Sequence, residues 1–385
     1  MMRDRVTKKS TVFPGIGPNP SLLGFGLMRL PTLTNPPDAI DEALAEKMVD
    51  LAYQSGVTYF DTAYPYHHGE SEVFIGKAMK KYPRGSFFLA TKMPGWSVHS
   101  ADDAKRIFEE QLQKCQVTYF DFYLCHALSR KNIDAYRLPG VMDFLIDMKR
   151  QGKIRHLGFS FHDTPEILED ILPMTAWDFV QIQLNYLDWT MQNAKTQYDI
   201  IAKAKLPCIV MEPIRGGTLA TLSEPARKIL QDANPKRSVA SWALRYAASK
   251  PNVMVVLSGM SNMDQTMDNI HTMSPFEPIT PIEQGIIDQA LAEFLKNRLI
   301  PCTGCGYCLP CPYGVLIPNN FRCFNEFAVS QDQEEFIFRY ERLDPAERAS
   351  VCVSCGHCLS LCPQRIAIPD ELEKITELYS RFKIE

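Results

Sequence analysis

The chain of 385 residues has no apolar run reaching the ~18 residues needed to cross a bilayer, which argues against a membrane protein. It has no block of one charge either. Its 41 lysines and arginines against 45 acidic residues leave a net charge of −4, so no nucleic-acid footprint is read. The opening stretch MMRDRVTKKS is charged, but no apolar h-region of a secretory leader follows it. A cytoplasmic protein is the expectation. Also missing is a G-x-G-x-x-G after the first apolar run, and LGFGLMR does not supply one, which counts against a doubly wound nucleotide-binding sheet. What remains is 45% hydrophobic and 22% charged, an ordinary globular balance with material for one large domain and a small one.

Cysteine, by contrast, is plentiful. Twelve in a chain without a leader point to metal or redox chemistry before disulfides. Nine follow residue 300, and eight of these form two runs. Cys302, Cys305, Cys308 and Cys311 precede Pro312; Cys352, Cys355, Cys358 and Cys362 precede Pro363. The first three members are offset by 50 residues and the fourth by 51. The match continues, since Cys311-Pro-Tyr-Gly-Val-Leu-Ile-Pro318 parallels Cys362-Pro-Gln-Arg-Ile-Ala-Ile-Pro369. A small unit occurs twice.

This is the C-x2-C-x2-C-x3-C-P arrangement of two-cluster ferredoxins, in which the fourth cysteine ligates the other cluster. On that reading Cys302, Cys305, Cys308 and Cys362 hold one [4Fe-4S] cluster. Cys352, Cys355, Cys358 and Cys311 hold a second. The first run departs from the pattern, with two residues rather than three before Cys311. Two tetrahedral zinc sites are the alternative, but they usually separate their cysteine pairs by a longer loop. Cys115, Cys125, Cys208 and Cys323 show no ligand spacing and read as apolar packing.

Before residue 280, short apolar runs alternate with amphipathic stretches. The strand candidates are residues 22–26, 57–61, 87–92, 120–126, 154–160, 179–185, 208–212 and 253–258. Between them, Ile40, Ala43, Leu44, Met48 and Ala52 recur on one helical face that ends at Gly56. A second helix carries Val141, Phe144, Leu145 and Met148 and stops at Gly152. Eight strands alternating with helices predict a (β/α)8 TIM barrel, with its reacting groups at the C-terminal ends of the strands. Those ends are polar. Asp61, Lys92, His126, Ser160 and Asn185 close the second to sixth runs, and Tyr66 lies five residues past Asp61. Taken singly, each has a bland structural explanation; together they suggest an acid–base constellation at one mouth.

The stretch Val57-Thr-Tyr-Phe-Asp61-Thr-Ala-Tyr-Pro-Tyr66-His-His-Gly-Glu70 resembles the signature of the aldo-keto reductases. So do Ala90-Thr-Lys92, Tyr123-Leu-Cys-His126, Gly158-Phe-Ser160 and Val180-Gln181-Ile-Gln-Leu-Asn185, in the family's order. The cysteine-rich tail resembles the iron–sulfur branch of that family. The resemblance implies a catalytic tetrad of Asp61, Tyr66, Lys92 and His126, acting on a carbonyl or alcohol substrate with NAD(P)H. It implies cofactor contacts from Ser160, Gln181, Asn185 and Met211, with Gly259, Gln265 and Asn269 on the adenosine side, while Arg215 either reaches a cofactor phosphate or has a surface or packing role. The family's basic clamp for a 2′-phosphate falls at residues 257–265, which hold no lysine or arginine, so NADH versus NADPH stays open.

The expected organisation is a barrel over 1–280 and a helical linker with a ferredoxin-like two-[4Fe-4S] domain over 281–385. The clusters would serve electron transfer, with an electron-transfer partner, or structure. A hydride moves two electrons and a cubane passes one, so a flavin is the candidate converter if the halves exchange electrons. The competing functions are a redox-sensing binding protein and a flavin-linked iron–sulfur reductase.

Overall fold

The computed structural model describes residues 6–9, 13, 15–34 and 37–384; much of the charged opening stretch lies outside them. Eight strands close into a barrel in sequence order: β1 (Leu23–Gly26), β2 (Tyr59–Asp61), β3 (Phe88–Met93), β4 (Phe120–Leu128), β5 (Ile154–Phe161), β6 (Phe179–Gln183), β7 (Cys208–Met211) and β8 (Val253–Gly259). Every neighbouring pair is parallel, and β8 closes on β1 with Leu23 opposite Val256. Each strand falls on one of the eight apolar runs. The runs are continuous rather than alternating because parallel strands are covered on both faces. Tyr59, Phe122, Leu124, Phe179, Ile209 and Val255 form one buried cluster with Phe13 and Ile16, which precede β1.

The first helix spans Glu42–Gln54 and starts later than its apolar pattern suggested. Asp41 is the reason: its side chain caps Leu44 N, so Ile40 is left outside, in a short hairpin of Thr32–Thr34 with Pro37–Ile40. The buried face is Ala45, Met48, Val49 and Ala52, a shift from the expected set. The helix Val141–Arg150 buries Val141, Leu145 and Met148, three of its four expected positions.

The chain divides into two compact units. The first comprises Met1–Pro213 and Ser241–Ile279, and the second Ile214–Ala240 and Thr280–Glu385. In the second, helices Glu224–Ala233 and Pro281–Phe294 pack on each other. Its core joins Ile300, Val315, Phe321, Phe336, Tyr340 and Leu372. Phe327 lies 5.4 Å from Phe336 and 5.3 Å from Phe382, so the aromatic stretch packs within its own unit.

The expectation of a ferredoxin-like tail is corrected. Among the described residues beyond 280 there are helices and turns and no strand, with helices Ile317–Ser330, Gln333–Glu341 and Ile368–Ile384 dominating. The duplicated Ile-Pro explains it. Pro318 and Pro369 each stand at the second position of a helix, where a missing N–H costs nothing and the fixed φ favours helix initiation. The repeat read as a cluster motif is thus also a repeated helix start.

Candidate active site

Register brings the tetrad residues together. Asp61 ends β2 opposite Ala90 of β3, and Lys92 lies two residues further on the same face. Lys92 Nζ donates to Asp61 Oδ1 at 2.6 Å, to the Thr62 carbonyl at 2.7 Å and to the Tyr66 hydroxyl at 3.4 Å. Both charged side chains are buried. Burial pulls the Lys92 pKa down, opposed by Asp61. The same burial pushes Asp61 up, opposed by Lys92. Tyr66 is half-buried in the loop after β2, and its ring edge meets His126 with centroids 6.1 Å apart.

His126 is aimed by a bulge. The β4–β5 register breaks between Cys125 and Leu128, and Ala127 takes a left-handed φ of 52°. The Ala127 amide donates to Ser160 Oγ at 2.8 Å, and Asn132 Nδ2 donates to the Ala127 carbonyl at 2.8 Å. The His126 amide donates to the Tyr136 hydroxyl at 2.8 Å, which donates in turn to the Met93 carbonyl at 2.6 Å. Tyr136 reaches there because Gly95 has no side chain; a Cβ would sit 2.7 Å from its ring. Burial, then Lys92 and His162, hold the His126 pKa well below 6.5. The imidazole is therefore neutral. Trp96, 45% exposed, lies with its ring 5.0 Å from His126 and forms a flat lip there.

The residues expected to hold a nicotinamide come from several strands and the segments that follow them. Ser160 and Gln181 are register partners across β5 and β6, and Gln181 Nε2 approaches Met211 Sδ at 3.5 Å. Gln181 Oε1 is buried and has no hydrogen-bond partner, an acceptor suited to an amide N–H. Asn185 is already engaged: its Nδ2 donates to Asp188 Oδ2 and to the Glu212 carbonyl, and its Oδ1 accepts from Leu187 and Asp188 amides. Gly259 ends β8. Nearby, Asn269 donates to Ser258 Oγ at 2.8 Å, and Gln265 Oε1 accepts from the Ser261 amide at 2.8 Å. Arg215 belongs to the second unit, where it is buried and Nη2 points to the Pro301 carbonyl at 3.5 Å.

Two features had no local signal. Arg29, after β1, pairs with Glu212, after β7, at 3.0 Å, and its stem lies 3.1 Å from where a Cβ of Gly259 would be. Glu72, Thr91, Gln111 and Tyr123 form a buried polar network behind Lys92. Neither follows from spacing, because the partners come from different strands and helices.

In the second unit the two cysteine runs approach each other. The electrostatic neighbours of Cys308 are Cys305, Cys302 and Cys362; those of Cys358 are Cys352, Cys311 and Cys355. Burial first, and these neighbours second, push both thiols up. Among the described residues no group of three or more histidine, cysteine, aspartate or glutamate side chains is arranged to hold a metal ion. The reading of two [4Fe-4S] clusters on Cys302, Cys305, Cys308, Cys311, Cys352, Cys355, Cys358 and Cys362 is corrected on that finding. The flavin goes with it, since its only argument was to link a hydride to those clusters. The redox-sensor and flavin-linked iron–sulfur reductase readings go for the same reason.

Comparison with known proteins agrees with the barrel. L-galactose dehydrogenase of Arabidopsis thaliana is 26% identical over 304 residues, 73% of this chain and 93% of the relative. The NADH-specific methylglyoxal reductase of Escherichia coli is 30% identical over 173 residues, 40% of this chain and 52% of that one. The holo form of an aldo-keto reductase from Bacillus halodurans superposes with a TM-score of 0.60 at 25% identity, covering 74% of this chain and 96% of its own. Residues 301–367 match the 4Fe-4S dicluster domain in sequence, although a ligand arrangement is not assembled there. Residues 22–292, which contain all eight strands and the set Asp61, Tyr66, Lys92 and His126, match the Aldo/keto reductase family, and the chain belongs to that family of NAD(P)-dependent oxidoreductases.

Proposed function

We propose that the protein interconverts a carbonyl compound and its alcohol, with Tyr66 as the group that gives and takes the proton. The observation that carries this reading is the Lys92 ammonium, 2.6 Å from Asp61 and 3.4 Å from the Tyr66 hydroxyl. A nicotinamide, when bound, supplies the hydride for reduction and accepts it in the reverse direction. As the carbonyl carbon gains hydride, the C=O π pair passes to oxygen, and that oxygen takes the Tyr66 proton. A phenol of pKa ~10 is a weak acid at neutral pH. The positive charge of Lys92 stabilises the phenolate left behind, and Asp61 holds that charge in place. Neutral His126 offers an N–H to the same oxygen and orients it beside Tyr66.

Ser160 and Gln181 suit the nicotinamide carboxamide, with Gln181 Oε1 as the waiting acceptor and Met211 as the neighbouring apolar surface. Asn185 supports them by tying the loop after β6 to Glu212. Gly259, Gln265 and Asn269 frame the adenosine side. A separate electron-transfer partner has no part in this reading, because the hydride carries both electrons. No disulfide is formed among the described cysteines. No helix among the described residues is long and apolar enough to cross a membrane. The test is a steady-state assay of an aldehyde and ketone panel with NADH and NADPH, run beside Tyr66→Phe. Turnover that is equal in both proteins would overturn the assignment.

A further inference from the structure

Behind Lys92 lies a second buried carboxyl that the reaction so described does not use. Glu72, in the helix Glu70–Met79, has no exposed surface. Its Oε1 accepts from the Thr91 hydroxyl at 2.6 Å and from Gln111 Nε2 at 2.7 Å, while Oε2 is buried without a hydrogen-bond partner. Gln111 Nε2 also donates to the carbonyl of Lys92 at 3.0 Å, and Gln111 Oε1 accepts from the Tyr123 hydroxyl at 2.6 Å. Glu72 thus holds β3 directly through Thr91 and, by way of Gln111, through the backbone of the next residue. A glutamine could accept the same two hydrogen bonds with no charge to desolvate. What the acid adds is negative charge.

We propose that Glu72 is a positioning residue for the proton transfer, a second counter-charge to the Lys92 ammonium that also anchors the strand presenting it. The inference rests on the roles given above to Tyr66 and Lys92. Lys92 then answers to two carboxyls, Asp61 in direct contact and Glu72 through the core. The electrostatics agree: Glu72 pulls the Lys92 pKa up against the effect of burial. Burial raises the Glu72 pKa, and the Thr91 and Gln111 hydrogen bonds and Lys114 oppose that rise without cancelling it. The other groups facing Glu72 are Glu110, Cys115 and Tyr123; those facing Lys92 are Asp61, Tyr66 and His126. Lys114 is matched by Glu110 at 3.0 Å, so it leaves little net charge to offset Glu72.

Removing the negative charge has one sign. It lets Lys92 release its proton more readily and favours loss of the phenol proton. Both carry the basic limb of kcat/KM for reduction, where the acid must hold its proton, to lower pH. The experiment is the pH profile of Glu72→Gln in the full chain, with cofactor affinity and Tm measured alongside. The basic limb is expected to fall by about one pH unit, with cofactor affinity unchanged. A lower Tm and lower kcat with the limb in place would mean a purely structural role and would overturn the proposal. Should Glu72→Gln not fold, Glu72→Met removes the charge with an apolar chain of similar length and should move the limb in the same direction; an unmoved limb there overturns it equally. Tyr66→Phe separates the two levels. If that variant is inactive while Glu72→Gln leaves the limb in place, only the inference about Glu72 is lost. If Tyr66→Phe keeps full turnover, the reading beneath it is lost as well.

Discussion

Asp61 and Lys92 meet at 2.6 Å although 31 residues separate them, because each stands at the C-terminal end of one of two adjacent parallel strands. The contact is buried on both sides, and that makes it a stability device as well as part of the proposed proton-transfer set. Lys92→Met would leave the Asp61 carboxylate uncompensated in the core, at an expected cost of about 3–5 kcal/mol in denaturant melts. Adding Asp61→Asn removes the stranded charge. The double variant should regain most of the stability and none of the turnover, and a double variant no more stable than Lys92→Met would contradict this account.

Tyr66→Phe keeps the ring against His126 and removes only the hydroxyl. Reduction should slow by about 10²–10⁴ in kcat, the usual worth of a general acid. Nicotinamide affinity, read by fluorescence titration, should stay at the wild-type value, since Ser160 and Gln181 are untouched.

The buried, neutral His126 makes stability depend on pH. In the unfolded chain a histidine protonates near ~6.5. In the folded protein burial holds His126 well below that, so the unfolded state binds the proton first. Stability is therefore complete above about pH 6.5 and declines as pH falls below it. Thermal melts from pH 8 to 5 should show Tm falling below about 6.5, with a smaller fall in His126→Gln. Equal falls in the two proteins would count against the assignment.

Cofactor preference tests the ion pair at the mouth. Residues 257–265 hold no basic side chain, yet Arg29 packs against Gly259 with its charge committed to Glu212 at 3.0 Å. NADPH should therefore hold less than a tenfold advantage over NADH, or ~1.4 kcal/mol. Glu212→Gln relieves Arg29 of its carboxylate and should shift the ratio of dissociation constants toward NADPH. A ratio that does not move would show that Arg29 does not face the cofactor phosphates.

Much of the barrel was legible because parallel strands, covered on both faces, leave continuous apolar runs that stand out from the helices between them. Asp61, Lys92, His126 and Ser160 were legible for a related reason: a polar residue closing such a run has to face something other than core. The helix phase at residues 42–54 was not, since Asp41 capping Leu44 N, not the first apolar residue, sets where that helix begins. In the tail the duplicated Cys-Pro and Ile-Pro suggested one repeated ferredoxin unit. The backbone uses each Ile-Pro to start a helix, and the same residues serve either reading until the chain is folded.

The sequence alone determined which residues are apolar in long runs, which polar groups interrupt them, and where helices gain a cap or a proline start. These are properties of neighbours along the chain. Tertiary structure alone decided the partners. Glu72 finds Thr91 and Gln111, 19 and 39 residues away, and Arg29 finds Glu212, 183 residues away. Barrel closure and strand register set those meetings, and the left-handed turn at Ala127 sets the direction of His126. Burial then fixes the energetics: the same carboxylate, lysine or imidazole that would titrate normally in water is held by whichever distant group the fold has placed beside it.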